Sequence, residues 1–238
     1  MFINNLKINY LKKGNGRPII FLHGWGNNLK TFEYIYDELE NDYLIYGIDL
    51  PGFGFSSEPL IPYKLDDYVH ILKEFIKNEN IKNPILVGHS FGGRIILKYC
   101  INNYVENIIL INSAGIRPKR SLLYYFKIYI YKIFKKLNIK LNIGSQDYKN
   151  ASNIMKKTLS NIVNEDLKKE LSKIKSNTLL IWGDKDKITP LKDAYYFEDK
   201  IKRSNLAIIP NTGHYCYLEN KNYFLLILNS YLASEVYD

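Results

Sequence analysis

Short apolar runs alternate with amphipathic segments along most of this 238-residue chain. The runs have the length of buried strands, and the segments between them repeat apolar residues at helical spacing. Strands are predicted at 19–22, 43–49, 85–88, 108–111, 179–182 and 206–209, and helices at 29–40, 65–78, from 94 onward and at 224–232. This alternation predicts an α/β fold in which helices cover both faces of a mostly parallel sheet. A hairpin or meander is expected ahead of it, because 2–11 partly alternates and Asn15-Gly16 favours a turn.

One long insert interrupts the alternation. No clear strand is found between 111 and 179, where helical patterns cover 122–137 and 161–174. We interpret residues 1–238 as a single domain and residues 116–175 as a helical cap inserted between sheet strands. Such a cap should lie over the carboxyl edge of the sheet, which is where open α/β sheets bind ligands.

The cysteine content and the apolar runs limit the class of protein. Cys100 and Cys216 are too few for a disulfide framework and do not have zinc-site spacing, which favours a reducing compartment. The first residues lack a secretory pattern, and no apolar run approaches the roughly 18 residues that a membrane span needs. We therefore expect a cytoplasmic protein with no transmembrane segment, no metal, no cofactor and no nucleic-acid partner.

The positive charge of the chain is concentrated in the insert. Residues 116–175 hold 15 of the 33 Lys and Arg but 4 of the 24 Asp and Glu, so the insert carries +11 and the remainder −2. One interpretation is a partner of negative charge, such as an acidic carrier protein or an anionic lipid surface contacted by the aromatic and basic stretch 124–136. The favoured interpretation is compositional, since the whole chain is rich in Lys, Asn, Ile and Tyr and charge runs are usually solvated.

A five-residue motif indicates a serine nucleophile. Gly88-His89-Ser90-Phe91-Gly92 follows a predicted strand and precedes a predicted helix, and it fits the Gly-x-Ser-x-Gly pattern. The serine in such a turn has a strained backbone, and the residues two before and two after it lie too close to their neighbours for a Cβ. Ser90 is the predicted nucleophile.

A serine hydroxyl needs a base, and four histidines are available. His70 lies inside a predicted helix, and His89 adjoins the serine too closely to reach back around the turn. His23 is more simply explained as a residue that orients its loop. His214 follows the last predicted strand at the edge where Ser90 emerges, so it is the predicted base.

The acid that orients the base should follow a strand between the serine and the histidine. Asp184 and Asp186 both follow the strand at 179–182, and their spacing does not choose between them. The other common acid position, after the strand at 108–111, holds Asn112 and Ser113, which cannot carry the required charge.

Two backbone N–H groups are needed to bind an oxyanion. The residue after the nucleophile, Phe91, supplies the first. The loop His23-Gly24-Trp25-Gly26 follows an earlier strand, and the N–H of Trp25 is the predicted second donor.

Taken together, these motifs resemble the α/β-hydrolase fold superfamily. They are His23-Gly24-Trp25-Gly26, Asp49-Leu50-Pro51-Gly52, the Ser90 turn, Gly183-Asp184-Lys185-Asp186 and Gly213-His214 with Glu219 behind it. The resemblance covers nearly the whole chain except the cap, and it implies that Asp186 is the acid and that Asp49 has a structural role. Lys221 departs from the proline that many relatives have after the glutamate, which affects the start of the last helix and not the chemistry.

The resemblance implies a carboxylesterase-like serine hydrolase that cleaves a small-molecule ester or thioester by a Ser-His-Asp acyl-enzyme mechanism. A C–C bond hydrolase or lyase of the same fold, and a non-catalytic small-molecule receptor, remain alternatives. The aromatic segment 121–134 would suit an acyl chain or an aromatic group, although helix packing also explains it. A relationship to pimeloyl-carrier methyl ester esterases would imply that the basic cap docks an acidic acyl carrier protein.

Overall fold

The computed structural model describes residues 1–117 and 151–234. The predicted helix at 122–137, the aromatic segment 121–134 and the stretch 124–136 lie outside the described residues, as does about half of the predicted cap 116–175.

A seven-stranded sheet forms the centre of the fold. The described strands are β1 (Phe2–Ile3), β2 (Leu6–Lys7), β3 (Tyr10–Lys13), β4 (Arg17–Leu22), β5 (Tyr43–Ile48), β6 (Ile85–His89), β7 (Asn107–Ile111), β8 (Asn177–Gly183) and β9 (Ser204–Ile209). The sheet has the order β3-β5-β4-β6-β7-β8-β9, and only β3 runs antiparallel to its neighbour. Every predicted strand is found, and the mostly parallel sheet is confirmed.

The described helices follow the predicted alternation. They are α1 (Glu33–Leu39), α2 (Leu65–Asn78), α3 (Phe91–Asn102), α4 (Asn153–Asn164), α5 (Leu191–Lys200), α6 (Cys216–Glu219) and α7 (Lys221–Ser234), with 3-10 turns at Leu29–Phe32 and Leu171–Lys173. α2 has the predicted bounds because its apolar face is regular and Asp67 accepts the Lys64 N–H at 2.6 Å, which fixes its start.

Two apolar cores, one on each face of the sheet, hold these layers together. Alternate residues of β4 enter different cores, with Ile20 and Leu22 packing beside α2, α3 and α5, and Ile19 and Phe21 packing beside α1 and α7. This follows from the two-residue period of a strand, which directs successive side chains to opposite faces.

The leading segment forms a hairpin only in part. β1 and β2 pair antiparallel across Asn4 and Asn5, which both have positive φ, whereas the turn at Asn15-Gly16 joins β3 to β4. Because β5 lies between β3 and β4, that turn connects strands that are not neighbours.

The helix predicted at 161–174 is wrong in its bounds. The structure has α4 at Asn153–Asn164, a break, and a single 3-10 turn at Leu171–Lys173. α4 begins earlier because the Ser152 hydroxyl accepts the Met155 N–H at 3.1 Å, an N-cap that apolar periodicity does not reveal. α5 was not predicted, although Pro190 immediately before it is a recognised start signal.

The sheet brings the loops that carry the predicted site residues to one edge. β4, β6, β7, β8 and β9 are parallel neighbours, so the loops that follow them leave the same edge of the sheet. His23, Ser90, Asn112, Asp186 and His214 each lie in one of these loops.

Candidate active site

Ser90 lies in a strained turn between β6 and α3. Its φ of 49° and ψ of −105° are unusual for a residue with a side chain. Neighbouring backbone holds it there, since the Ser90 N–H donates to the Ile111 carbonyl and the Ser90 carbonyl accepts from Ala114, both at 3.0 Å.

The two glycines of the motif are required by crowding. A Cβ on Gly92 would lie 2.0 Å from the Leu22 carbonyl oxygen, and a Cβ on Gly88 would lie 2.5 Å from the Gly93 nitrogen. Both neighbours are backbone and cannot move aside, so only glycine fits at either position.

His214 and Asp186 are in direct contact. His214 Nδ1 lies 2.8 Å from Asp186 Oδ2, and the two side chains are 9% and 0% exposed. Asp184 is exposed on the same loop, so burial separates the two aspartates that spacing leaves equivalent.

Asp186 accepts a dense set of hydrogen bonds. Its Oδ1 accepts the N–H groups of Ile188 (2.7 Å) and Thr189 (3.1 Å), and its Oδ2 accepts the Thr189 hydroxyl (2.7 Å) and the Asn112 amide (2.5 Å) in addition to His214. Burial alone would raise the pKa of this carboxyl, but the hydrogen bonds from His214 and Thr189 outweigh burial and lower the pKa to about 2. Asp186 is therefore an anion at any pH near neutrality.

Asn112 is a site residue whose role the sequence does not reveal. It occupies the alternative acid position after β7, has a φ of 42°, and donates its amide to the acid that follows β8. Its Oδ1 accepts from the Cys216 thiol at 2.8 Å. The alternative position is thus used to hold Asp186, and the signal for this was its place after a neighbouring strand.

His89 packs against the predicted base. Its ring centroid lies 4.8 Å from that of His214, and its Nε2 donates to the His214 carbonyl at 2.8 Å. Complete burial, and then the proximity of His214, lower the pKa of His89 to about 3. A neutral His89 therefore holds the backbone of His214 without adding a charge beside it.

The loop after β4 is held by His23. His23 Nδ1 donates to the Gly24 carbonyl at 2.7 Å, and His23 Nε2 accepts the Leu50 N–H at 3.0 Å. Burial lowers the pKa of His23 to about 4, so it stays neutral and makes both bonds. These contacts agree with the loop-orienting role predicted for His23.

The two predicted oxyanion donors belong to segments that are joined directly. The Gly92 N–H donates to the His23 carbonyl at 3.1 Å, which ties the start of α3 to the loop after β4. The rings of Trp25 and Phe91 pack 5.4 Å apart. Their assignment as oxyanion donors remains a prediction.

Asp49 and Glu219 support the loops around the site. Asp49 accepts the N–H of Leu29 at 2.7 Å and of Phe55 at 2.8 Å, which organises two connecting segments. Glu219 accepts the N–H groups of Gly213 (2.7 Å) and Tyr215 (3.2 Å), the residues on either side of His214.

A cavity of about 580 Å³ opens beside Ser90. Apolar side chains from the Trp25 loop, α3 and α4 line part of it, namely Trp25, Phe91, Leu159, Ile162 and Val163. A cavity of this size accommodates a small organic molecule.

Neither a candidate metal site nor a membrane-spanning helix is found in residues 1–117 and 151–234. No group of three or more His, Cys, Asp or Glu side chains there could hold a metal ion. No helix in the same ranges is both long and apolar enough to cross a bilayer.

The sequence profile described as alpha/beta hydrolase fold matches residues 17–132 and 134–221. The chain belongs to the α/β-hydrolase fold family. The fold class and family predicted from the motifs are confirmed by this match.

Alignments with individual relatives cover most of this α/β hydrolase. It is 32% identical to the AB hydrolase superfamily protein YisY of Bacillus subtilis (strain 168), over 87% of this chain and 88% of that protein. It is 26% identical to the 2-hydroxy-6-oxo-6-(2'-aminophenyl)hexa-2,4-dienoic acid hydrolase of Metapseudomonas resinovorans, over 98% of this chain and 90% of that protein. The solved esterase from Exiguobacterium antarcticum superposes with a TM-score of 0.77 at 26% identity, covering 96% of this chain and 95% of that one. These relatives are hydrolases, and the prediction that the chain is an enzyme of this fold is confirmed.

Proposed function

We propose that this hydrolase cleaves a carboxylic ester or thioester through an acyl-enzyme on Ser90. The observation that carries the proposal is the 2.8 Å contact between His214 Nδ1 and Asp186 Oδ2, at the sheet edge where the strained Ser90 turn also lies. A proton on Nδ1 directed at the carboxylate leaves Nε2 with the lone pair that a general base needs.

In this mechanism the Ser90 hydroxyl attacks the ester carbonyl as His214 takes its proton. The N–H groups of Trp25 and Phe91 stabilise the oxyanion of the tetrahedral intermediate. His214 then returns the proton to the leaving alcohol or thiol, and the acyl group stays on Ser90. A water molecule then attacks the acyl carbon as His214 takes its proton. The bond between Ser90 Oγ and the acyl carbon breaks, Ser90 takes the proton back from His214, and the acid is released.

Asp186 fixes His214 and stabilises its charged form during each step. Its five hydrogen bonds keep the carboxylate ionised and in one orientation, so His214 does not rotate or change tautomer. This role needs a charge that lasts through the catalytic cycle, which a pKa of about 2 provides.

We propose also that residues 116–175 form a cap over this site. The support comes from the part of the segment that the structure describes, where α4 contributes Leu159, Ile162 and Val163 to the cavity wall.

The test is a series of p-nitrophenyl esters of increasing acyl length, assayed with the wild type and with Ser90→Ala. We expect hydrolysis by the wild type and a loss of at least about 10³-fold in Ser90→Ala, the order seen when a triad nucleophile is removed. Ser230→Ala, which changes an exposed serine on α7, is the matched control and should retain wild-type rates. Substantial esterase activity in pure Ser90→Ala would refute the nucleophile assignment.

A second candidate reaction is hydrolysis of a C–C bond next to a carbonyl. It is favoured by the similarity to the dienoic acid hydrolase, which extends over 98% of this chain. Disappearance of the absorbance of that relative's substrate on mixing with the wild type, with no ester turnover under the same conditions, would favour this reaction over ester cleavage.

A further inference from the structure

The wall of the cavity beside Ser90 carries an excess of positive charge. Its cationic side chains are Arg94, Arg117, Lys168, Lys187 and Lys192, and its one carboxylate in the described residues is Asp193. Within residues 1–117 and 151–234, none of these five cations forms a salt bridge. Elsewhere on the same ranges basic side chains do pair, as Lys98 does with Glu165 at 2.7 Å.

Few negative charges are present in the part of the sequence outside the described residues. Residues 118–150 contain eight Lys and Arg and a single acidic residue, Asp147. Pairing of Asp147 with one of the five cations would still leave the cavity with a net positive charge.

Hydrogen bonds hold the positively charged guanidinium of Arg94 in one position in this wall. Its side chain is buried, and its Nη1 donates to the carbonyl oxygens of Ile162 at 2.8 Å and Glu165 at 2.7 Å, which anchors the guanidinium at the end of α4. Burial lowers the pKa of Arg94 to about 10, so it remains a cation at neutral pH.

Two nitrogens of the Arg94 guanidinium are not used by the hydrogen bonds to α4. Only Nη1 of Arg94 has acceptors among the described residues, so Nε and Nη2 are left without one there, and Arg94 lines the cavity beside Ser90. Together these two nitrogens form the edge of a guanidinium that binds a carboxylate in a bidentate manner.

The position of this cation next to the nucleophile limits the length of a ligand. Arg94 lies on the first turn of α3, where its N–H donates to the Ser90 carbonyl at 3.1 Å, and both residues line the same cavity. Lys168 supplements it, with its Nζ 5.3 Å from the ring centroid of Tyr196 in the same wall.

We propose that the substrate is an anion, an ester or thioester whose acyl group ends in a carboxylate several carbons from the scissile carbonyl. Arg94 and Lys168 bind the carboxylate while the carbonyl lies at Ser90. This inference rests on the proposed ester cleavage and names its substrate class.

The first test compares two esters that differ by one group. In p-nitrophenyl hexanoate the acyl chain ends in a methyl, and in the mono-p-nitrophenyl ester of adipic acid a carboxylate takes its place. We expect kcat/KM to be about tenfold higher for the adipate ester at low ionic strength, with the preference shrinking as salt is added. Equal rates, or a preference for hexanoate, would overturn the inference.

The second test removes one cation. Lys168→Gln should lower the adipate-to-hexanoate ratio of kcat/KM by roughly threefold or more, a loss typical of a partly exposed charge. Lys202→Gln, an equal charge change on an exposed lysine outside the cavity, should leave the ratio as in the wild type. The same ratio in both variants would contradict the role given to Lys168.

A binding measurement separates this inference from the proposed reaction. Calorimetry with Ser90→Ala should detect adipic acid monoamide and show weaker or no binding of hexanamide. If the anion binds preferentially but the wild type hydrolyses no ester, the anion-binding site is supported and the proposed ester cleavage is contradicted. Hydrolysis of hexanoate without any preference for the anion in rate or binding would remove the anion site alone.

Discussion

Asp186 shows how single hydrogen bonds distinguish two residues of the same type. It is buried and accepts bonds from His214, Thr189 and Asn112, whereas Asp184, two positions earlier, is exposed. Nearness in sequence therefore says little about which carboxylate acts on the base.

Replacing each aspartate by asparagine tests this distinction. Asp186→Asn keeps the side-chain size but removes the charge, so kcat/KM for a p-nitrophenyl ester should fall by about 10³ to 10⁴-fold. Asp184→Asn is the control and should stay within about twofold of the wild type, as expected for an exposed position. Comparable losses in both variants would contradict the choice of Asp186.

Asn112 donates a hydrogen bond to the Asp186 carboxylate while its own backbone has a positive φ, which is unfavourable for a residue with a side chain. Asn112→Gly suits the φ of 42° but removes the amide donor, so kcat should fall while the protein folds. Asn112→Ala loses the same donor and also strains the backbone. Its free energy of unfolding should therefore be about 1 kcal/mol lower than that of Asn112→Gly. Urea denaturation and steady-state kinetics of both variants measure the two effects, and wild-type kcat in both would show that the amide does not support Asp186.

At the scale of secondary structure, a helix is predicted with accurate bounds only where the sequence contains both a regular apolar face and polar residues at its ends. α2 was predicted with its observed bounds, because its apolar face repeats regularly and polar residues flank it. The helix predicted at 161–174 was misplaced, because some apolar residues of this range are buried on α4 and the others follow the end of α4 at Asn164. Arg94 contributes to this helix end by donating to the carbonyls of Ile162 and Glu165, which are 68 and 71 positions away in the sequence.

The start of α4 depends on one hydroxyl. Ser152→Ala removes the bond from the Met155 N–H and also the bond that the hydroxyl donates to the exposed carboxylate of Glu58, and it should lower the free energy of unfolding by about 1 kcal/mol, mainly through the lost cap. Ser160→Ala, which changes an exposed serine within the same helix, is the matched control. Urea denaturation should separate the two variants, and coincident curves would mean that Ser152 does not cap the helix.

At the scale of the whole molecule, the sheet edge gathers neutral histidines and an ionised carboxylate into one buried region. Folding lowers the pKa of His89 to about 3 and of His23 to about 4, both from about 6.5, chiefly through burial. Below pH 6.5 the unfolded chain binds protons that the folded chain does not, so stability falls as the pH drops. Asp186 adds a second decline between about pH 4 and pH 2, because its pKa is lowered to about 2 on folding.

The free energy of unfolding should therefore decrease from pH 6.5 toward pH 4, by up to about 1.4 kcal/mol per pH unit for each buried histidine. His89→Gln should reduce this slope, whereas His70→Gln, at an exposed position on α2, should not. Denaturant titrations across this pH range provide the measurement, and an unchanged slope in His89→Gln would show that His89 is not kept neutral by folding.

The sequence by itself determined the layered α/β architecture, the Ser90 turn and the order in which the candidate site residues follow their strands. These depend on local properties, namely apolar periodicity, the steric need for Gly88 and Gly92, and turn chemistry, which short windows of sequence contain. Only the tertiary structure decided what surrounds Asp186 and what charge lines the cavity. The Asn112 amide and the Arg94 guanidinium reach partners 74 and 68 residues away, and such contacts exist only once the strands and α4 have packed.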